Sequence, residues 1–194
     1  MKVKVCGLNP IRDVQLCITL KVFMLGFIFY EKSPRNIKNL KDIQKLKDYK
    51  KEDSSFVAVT VDPNNEFIEK TVLNNFDYIQ LHGSESHERV KEIKSMGVKV
   101  IKAIKVKERL DIDEYKRYEA ADIILFDTIG MEKSVEFPKN LISELPKGDR
   151  YALAGSVSID NVENIAKLGV NFFDLSSSLE SKLGHKDHLK VKNF

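Results

Sequence analysis

Residues 78–104 read YIQLHGSESHERVKEIKSMGVKVIKAI, and two periods meet in that stretch. Tyr78 to Leu81 and Lys99 to Ile104 are short runs rich in β-branched and large apolar residues, the signature of strands. Between them, HERVKEIKSMG is an amphipathic stretch of helical period that stops at a glycine. A strand, a helix and a second strand in succession favour parallel pairing through a helical crossover.

Outward from this unit the same alternation covers the chain. Strand-like runs lie at Lys2 to Val5, Met24 to Phe29, Phe56 to Val61, Tyr78 to Leu81, Lys99 to Ile104, Ile123 to Phe126, Tyr151 to Leu153 and Phe172 to Leu175, eight in all. Helical patterns separate and follow them: PIRDVQLCITL, IKNLKDIQKLKDY, NEFIEKTVLNN, HERVKEIKSMG, KERLDIDEYKRY, PKNLISEL, SIDNVENIAKLG and KDHLKVKNF. Asn9 before Pro10 predicts a cap followed by proline at the first helical position, where its missing N–H costs nothing. In the seventh unit Ser158 opens the helix, Ile165 and Leu168 continue its apolar face, and Gly169 stops it. No linker, low-complexity tract or solenoid consensus interrupts the series. An open doubly wound sheet and a closed barrel both satisfy strict alternation, and eight pairs end to end favour closure. The expectation is an α/β fold, a single (βα)8 TIM barrel with short loops, forming one domain over residues 1–194.

Composition narrows the function classes. With 42% hydrophobic and 31% charged residues, the chain can bury one substantial core. No apolar run is long enough to cross a bilayer and no charged-then-apolar leader precedes the first strand, so a cytoplasmic protein without a membrane partner is expected. The 32 basic and 29 acidic side chains leave +3, and the lysines are scattered, which argues against a nucleic-acid partner. Two cysteines are too few for a disulfide framework, and both are expected as reduced thiols. Cys17 shares the inner face of the first helix with Val14 and Ile18, which reads as core. His87, His185 and His188 are dispersed and give no ligand set at metal spacing, so no metal is expected. Neither a G-x-G-x-x-G after the first strand nor a Walker-type lysine loop is present, so no nucleotide cofactor is indicated.

In a barrel, reactive groups belong at the C-terminal ends of strands and in the loops just after them. Those places hold Cys6-Gly7, FYEKSPRN, TVDPN, QLHGSES, KAIKV, FDTIGMEKS, LAGSVS and LSSSLES. The set is polar, glycine-containing and chemically varied, which packing alone does not explain. By itself Cys6 reads equally well as a small buried thiol and as a reactive one.

Taken in order, KVKVCGLN, LGFIFYEKSPRNI, YIQLHGSES, VIKAI, LFDT, LAGSVSIDNV and DLSSSLESKLGHKD span nearly the whole chain and resemble the phosphoribosylanthranilate isomerase family of tryptophan biosynthesis. The combination of a strand-one K-x-C-G, a strand-two G-F-x-F followed by S-P-R, and a strand-four Q-L-H-G carries the resemblance. It implies the (βα)8 barrel, a monomer or homodimer, and no cofactor. The reaction it implies is an Amadori rearrangement of N-(5-phosphoribosyl)anthranilate to 1-(2-carboxyphenylamino)-1-deoxyribulose 5-phosphate. An acid must protonate the furanose ring oxygen as the ring opens, and a base must take the proton from C2.

On this resemblance Cys6 is the base and Asp127 the acid. Arg35 matches the family residue that pairs with the anthranilate carboxylate, a task that suits two parallel N–H donors. His82 lines the pocket, and Gly155, Ser156, Ser176 and Ser177 hold the phosphate in the loops after strands seven and eight. Asp174 fits a structural role as readily as a contact with a substrate hydroxyl. Because a free thiol titrates near ~8.5 and an Asp near ~3.9, the site must favour the carboxyl's proton, and positive groups or amides near Cys6 should favour its thiolate.

The chain departs from the family pattern in three places. Ser156 and Ser178 replace usual glycines, DTIGMEKSVEFP replaces a G-G-[TS]-G-K segment with only Gly130, Lys133 and Ser134 as echoes, and Leu183 replaces a proline. Two other functions therefore stand beside the isomerase. A related phosphosugar isomerase is disfavoured by Arg35, and a non-catalytic barrel serving as a binding subunit is disfavoured by the retention of both Cys6 and Asp127.

Overall fold

The computed structural model describes residues 1–9, 11–128, 137–155 and 157–194. Eight strands pair in parallel in chain order: β1 (Lys2–Cys6), β2 (Met24–Phe29), β3 (Ser55–Thr60), β4 (Tyr78–Leu81), β5 (Lys99–Lys105), β6 (Ile123–Asp127), β7 (Tyr151–Leu153) and β8 (Phe172–Leu175). β8 then pairs with β1, Lys2 opposite Phe172 and Lys4 opposite Asp174, so the sheet closes into a barrel. Closure resolves the choice that alternation alone left open.

Strand side chains divide between two cores because successive residues face opposite sides of a sheet. On β3, Phe56 and Ala58 pack outward with the helices, while Val57 and Val59 join Met24, Ile101, Leu125, Ala152 and Phe172 inside. The same parity on β1 sends Val5 outward and Lys4 and Cys6 inward. Cys6 is thus the last inward residue of β1 and meets the barrel's C-terminal mouth.

The helices are shorter than their sequence patterns. Residues 10–20 yield only Val14–Thr19, in which Val14, Cys17 and Ile18 are buried as expected. Asn9 does not cap that helix: its Oδ1 accepts the backbone N–H groups of Ile11 and Arg12, closing a turn ahead of it, and Pro10 lies outside the described residues. Residues 37–49 form Lys41–Gln44 and a 3-10 turn, Lys45–Asp48, and residues 107–118 form Arg109–Asp113 and Glu114–Arg117 in the same manner. Such short helices are held by burying Ile43, Leu46 and Ile112 against the barrel, since isolated helices of this length are unstable. In the seventh unit Asn161 and Val162 donate their N–H groups to the Ser158 carbonyl, and Gly169 ends the helix Val162–Lys167 just beyond Leu168 with φ +90°.

After β8 comes a 3-10 turn, Ser177–Leu179, and an antiparallel hairpin of β9 (Glu180–Lys182) and β10 (His185–Lys186). Nothing in the polar ESKLGHK reads as strand, so pattern alone misses this hairpin. Among the described residues no helix is long and apolar enough to cross a membrane.

Candidate active site

The floor of the mouth is built by β1, β2 and β8. Lys4 Nζ donates to both carboxylate oxygens of Asp174 at 3.0 Å, and both side chains are almost sealed from solvent. A Cβ added to Gly26 on the neighbouring strand would stand 3.1 Å from both Cys6 Sγ and Lys4 Nζ, so this glycine makes room for thiol and ammonium side by side. Burial pushes the Cys6 thiol above its ordinary value, against the opposing pull of Lys4 and Lys186, and Asp174 adds to the rise. The positive neighbours expected from the sequence are present and pull toward the thiolate, but burial exceeds their effect. The charge of Lys4 is already matched by Asp174. Burial pulls Lys4 down, yet the Asp174 carboxylate and Cys6 beside it hold the ammonium above its usual range.

Across the mouth, Asp127 ends β6 and His82 follows β4. His82 Nε2 lies 3.2 Å from Asp127 Oδ2, while Asp127 Oδ1 accepts the Thr128 N–H at 2.7 Å. Behind the imidazole, the buried Gln80 places its amide nitrogen 3.1 Å from Nδ1. Lys102 fixes the turn after His82: buried on β5, it donates to the Gly83 carbonyl at 2.9 Å and to Glu85 at 2.7 Å.

Arg35 reaches the mouth from the loop after β2. It lies across the end of β1, where Gly7 has φ +76° and an added Cβ would stand 2.6 Å from Arg35 Cδ. Its guanidinium is engaged side-on with Glu180 of β9, Nε to Oε1 at 2.6 Å and Nη2 to Oε2 at 2.8 Å. That fork uses Nε and one proton of Nη2; among the described residues the end-on pair formed by Nη1 and the second Nη2 proton has no acceptor and suits another planar one. Lys186 of β10 also donates to Glu180, at 2.9 Å. Burial works against the Glu180 carboxylate, but Arg35 and Lys186 overcome it and hold the group down at about 2.

The remaining wall comes from the ends of β7 and β8. Gly155 has φ +89°, a conformation that suits glycine, and Ser156 lies outside the described residues, as do Gly130, Lys133 and Ser134. Ser176 donates its hydroxyl to the Cys6 carbonyl at 3.2 Å, and its own carbonyl accepts from Lys186 at 3.0 Å. Cys6, Arg35, His82, Asp127, Gly155, Ser176 and Ser177 all line one cavity of about 410 Å³. Ser156, outside the described residues, is the one sequence-derived site residue whose place is not described. Sequence reasoning missed Lys4, Gln80, Glu180 and Lys186. Lys4 and Gln80 carried a signal, each standing two residues before a site residue and therefore on the same strand face. Glu180 carried none, being far from Arg35 in the chain. Among the described residues no group of three or more His, Cys, Asp or Glu is placed to hold a metal ion.

This arrangement has known counterparts. Residues 3–194 match the family described as PRAI, N-(5'phosphoribosyl)anthranilate (PRA) isomerase. The N-(5'-phosphoribosyl)anthranilate isomerase of Sinorhizobium medicae is 36% identical over 197 residues, covering 96% of this chain and 91% of that protein. Among solved structures, the phosphoribosyl anthranilate isomerase of Thermus thermophilus superposes with a TM-score of 0.86 at 26% identity, over 100% of this chain and 96% of that one. A phosphoribosyl anthranilate isomerase in complex with reduced 1-(o-carboxyphenylamino)-1-deoxyribulose 5-phosphate superposes with a TM-score of 0.83 at 26% identity, with the same coverage. With the family matched over nearly its full length and the barrel and mouth arranged as above, the chain belongs to the N-(5'-phosphoribosyl)anthranilate isomerase family.

Proposed function

We infer that the chain catalyses the Amadori rearrangement of N-(5-phosphoribosyl)anthranilate to 1-(2-carboxyphenylamino)-1-deoxyribulose 5-phosphate, an aldose–ketose isomerisation of tryptophan biosynthesis. The observation that carries this reading is the meeting, in one cavity, of a buried thiol from β1 and a carboxyl from β6, with a half-free guanidinium beside them. Two proton-transfer groups and a carboxylate receptor are what the reaction requires.

In this proposal the Cys6 proton passes to the Asp127 carboxylate when substrate binds; Asp127 then protonates the ring oxygen as the C1–O bond breaks, and Cys6, now the thiolate, takes the C2 proton to give the enolamine. Arg35 receives the anthranilate carboxylate on its end-on edge while Glu180 keeps the side-on edge. Gly155, Ser156, Ser176 and Ser177 surround the phosphate, with the Ser176 hydroxyl turned to the Cys6 carbonyl, so its contribution comes from the backbone. Residues 1–194 act as one catalytic domain, as a monomer or homodimer, in the cytoplasm. The other phosphosugar readings lack a use for the half-free guanidinium.

The test follows substrate fluorescence. Phosphoribosylanthranilate is generated in place from anthranilate and phosphoribosyl pyrophosphate and mixed with wild type, Cys6→Ala or Asp127→Asn. Rapid loss with wild type, slowed by ~10² or more in both variants, is expected. No turnover by folded wild type would overturn the reading.

A further inference from the structure

We propose that His82 holds the proton that Asp127 delivers to the substrate, and that Gln80 lets it do so by offering either end of its amide to the imidazole. This role rests on the isomerase reading and assigns His82 as a positioning residue that acts through Asp127.

The reason lies behind the imidazole. Gln80 is buried, and its amide touches His82 Nδ1 with one end only. The other end, Oε1, is buried with no hydrogen-bond partner among the described residues. Buried polar atoms are rarely left so, and among the described residues nothing fixes the amide on that side. Its nitrogen and oxygen ends are nearly the same shape, so the group can turn over in place without giving up a partner.

Each orientation dictates a proton count in front. With the amide N–H toward Nδ1, the ring is neutral and carries its proton on Nε2, which donates to a carboxylate that has no proton to give. With the amide oxygen toward Nδ1, the ring donates there. The 3.2 Å contact between Nε2 and Asp127 Oδ2 is then bridged by an additional proton, on one atom or the other. Because Thr128 N–H already occupies Oδ1 as an acceptor, a carboxyl proton falls on Oδ2. This loaded pair is the acid the ring-opening step needs. As the C1–O bond breaks, its electron pair goes to the ring oxygen, which takes the Oδ2 proton. The pair regains a proton from the C2 hydroxyl as that oxygen becomes the ketone and Cys6 returns its proton to C1.

The surrounding charges leave the pair free to act. Asp174 on β8 is near enough to feel both His82 and Asp127, but its charge is matched by Lys4. Cys6 from β1, with Lys32 and Arg35 from the loop after β2, line the same cavity, and Arg35 is paired with Glu180. No second carboxylate competes for the imidazole proton at hydrogen-bond distance among the described residues.

The experiment combines nitrogen NMR of histidine-labelled wild type with kcat and KM profiles of wild type and His82→Gln between about pH 5 and about pH 9. Glutamine keeps a donor to Asp127 but cannot store a proton. A loaded pair predicts that Nδ1 and Nε2 of His82 both change as pH is raised, and that kcat in His82→Gln falls by ~10² with KM within about threefold. One limb of the kcat profile should move with it. A kcat within about threefold of wild type with unmoved limbs, or an imidazole fixed with its proton on Nε2 throughout, would overturn the proposal. Inactive wild type would instead defeat the isomerase reading, and the NMR measurement would still decide whether the pair loads a proton.

Discussion

Lys4 Nζ lies 3.0 Å from each oxygen of Asp174, inside the barrel and against the space kept open by Gly26 for Cys6 Sγ. An ion pair this deep costs more to desolvate than a surface pair, so its presence beside the thiol sets the electrostatics of the base. The pair is neutral as a unit, and burial therefore dominates the thiol.

That balance predicts how Cys6 reacts. Alkylation by iodoacetamide should rise with pH through and beyond the usual thiol range near ~8.5, because burial holds the folded thiol protonated. Cys17, pushed up to about 12, stays silent and leaves the signal to Cys6. Lys4→Met should shift the rise to still higher pH, since the main opposing charge is gone. Mass spectrometry of the labelled peptide reads both, with circular dichroism to confirm the variant folds. A Lys4→Met thiol as reactive as wild type at every pH would refute the account.

The guanidinium of Arg35 is half occupied, and Glu180 aims the free half. Glu180→Gln keeps the size but weakens the charge-assisted fork, so Arg35 becomes less ordered and the substrate carboxylate loses its receptor. KM should rise roughly tenfold, the equivalent of ~1.5 kcal/mol for one charged hydrogen bond, while kcat stays within about threefold. Equal falls in kcat with unchanged KM would show that Arg35 acts in the transition state alone.

The same carboxylate links stability to acid. Glu180 is held at about 2 in the fold against an ordinary value of 4.5. A folded value below the unfolded one gives stability that is fully present above pH 4.5 and lost as pH falls toward 2. At neutral pH it amounts to on the order of 3 kcal/mol. Denaturant unfolding at about pH 6 should therefore separate wild type from Glu180→Gln, and the gap should narrow at about pH 3. A gap independent of pH would mean that the loss is one of packing.

Strand parity explains what the sequence made legible and what it did not. Short apolar runs gave β2, β4, β7 and β8 to the residue, because each of these strands begins and ends on an apolar or aromatic residue even where a buried polar one, Gln80 or Asp174, lies inside it. Strand ends then put the segments that hold Cys6, His82 and Asp127 at the mouth, and the family resemblance singled these residues out along with Arg35, Gly155 and the serines. Helix lengths were overread, since the amphipathic pattern continues through 3-10 turns such as Lys45–Asp48 that tertiary packing tightens. Glu180 stayed hidden because its hairpin is polar and its partner lies 145 residues away. The net proton affinity of Cys6 was not legible for a related reason: how far a lysine helps a thiolate depends on burial and on what else the lysine touches, and Asp174 is 170 residues from Lys4.

Gly26 offers the sharpest steric probe of this site. Its Cα faces Cys6 in the β1–β2 register, and an added methyl would sit 3.1 Å from both Sγ and Nζ, closer than ordinary contact. Neither neighbour can yield freely, because Cys6 is fixed by the strand and Lys4 by Asp174. Gly26→Ala should therefore cost ~1–3 kcal/mol in stability through overpacking. It should also lower kcat at least ~10-fold by displacing the base from its working position. Gly97→Ala is the control: at φ +95° it is strained, but nothing lies within 4 Å of the new methyl. It should lose ~1 kcal/mol and keep full activity. If the two variants lose stability and activity in the same proportion, the thiol's position is not what Gly26 protects. If only Gly26→Ala loses turnover, the room between β1 and β2 belongs to the chemistry.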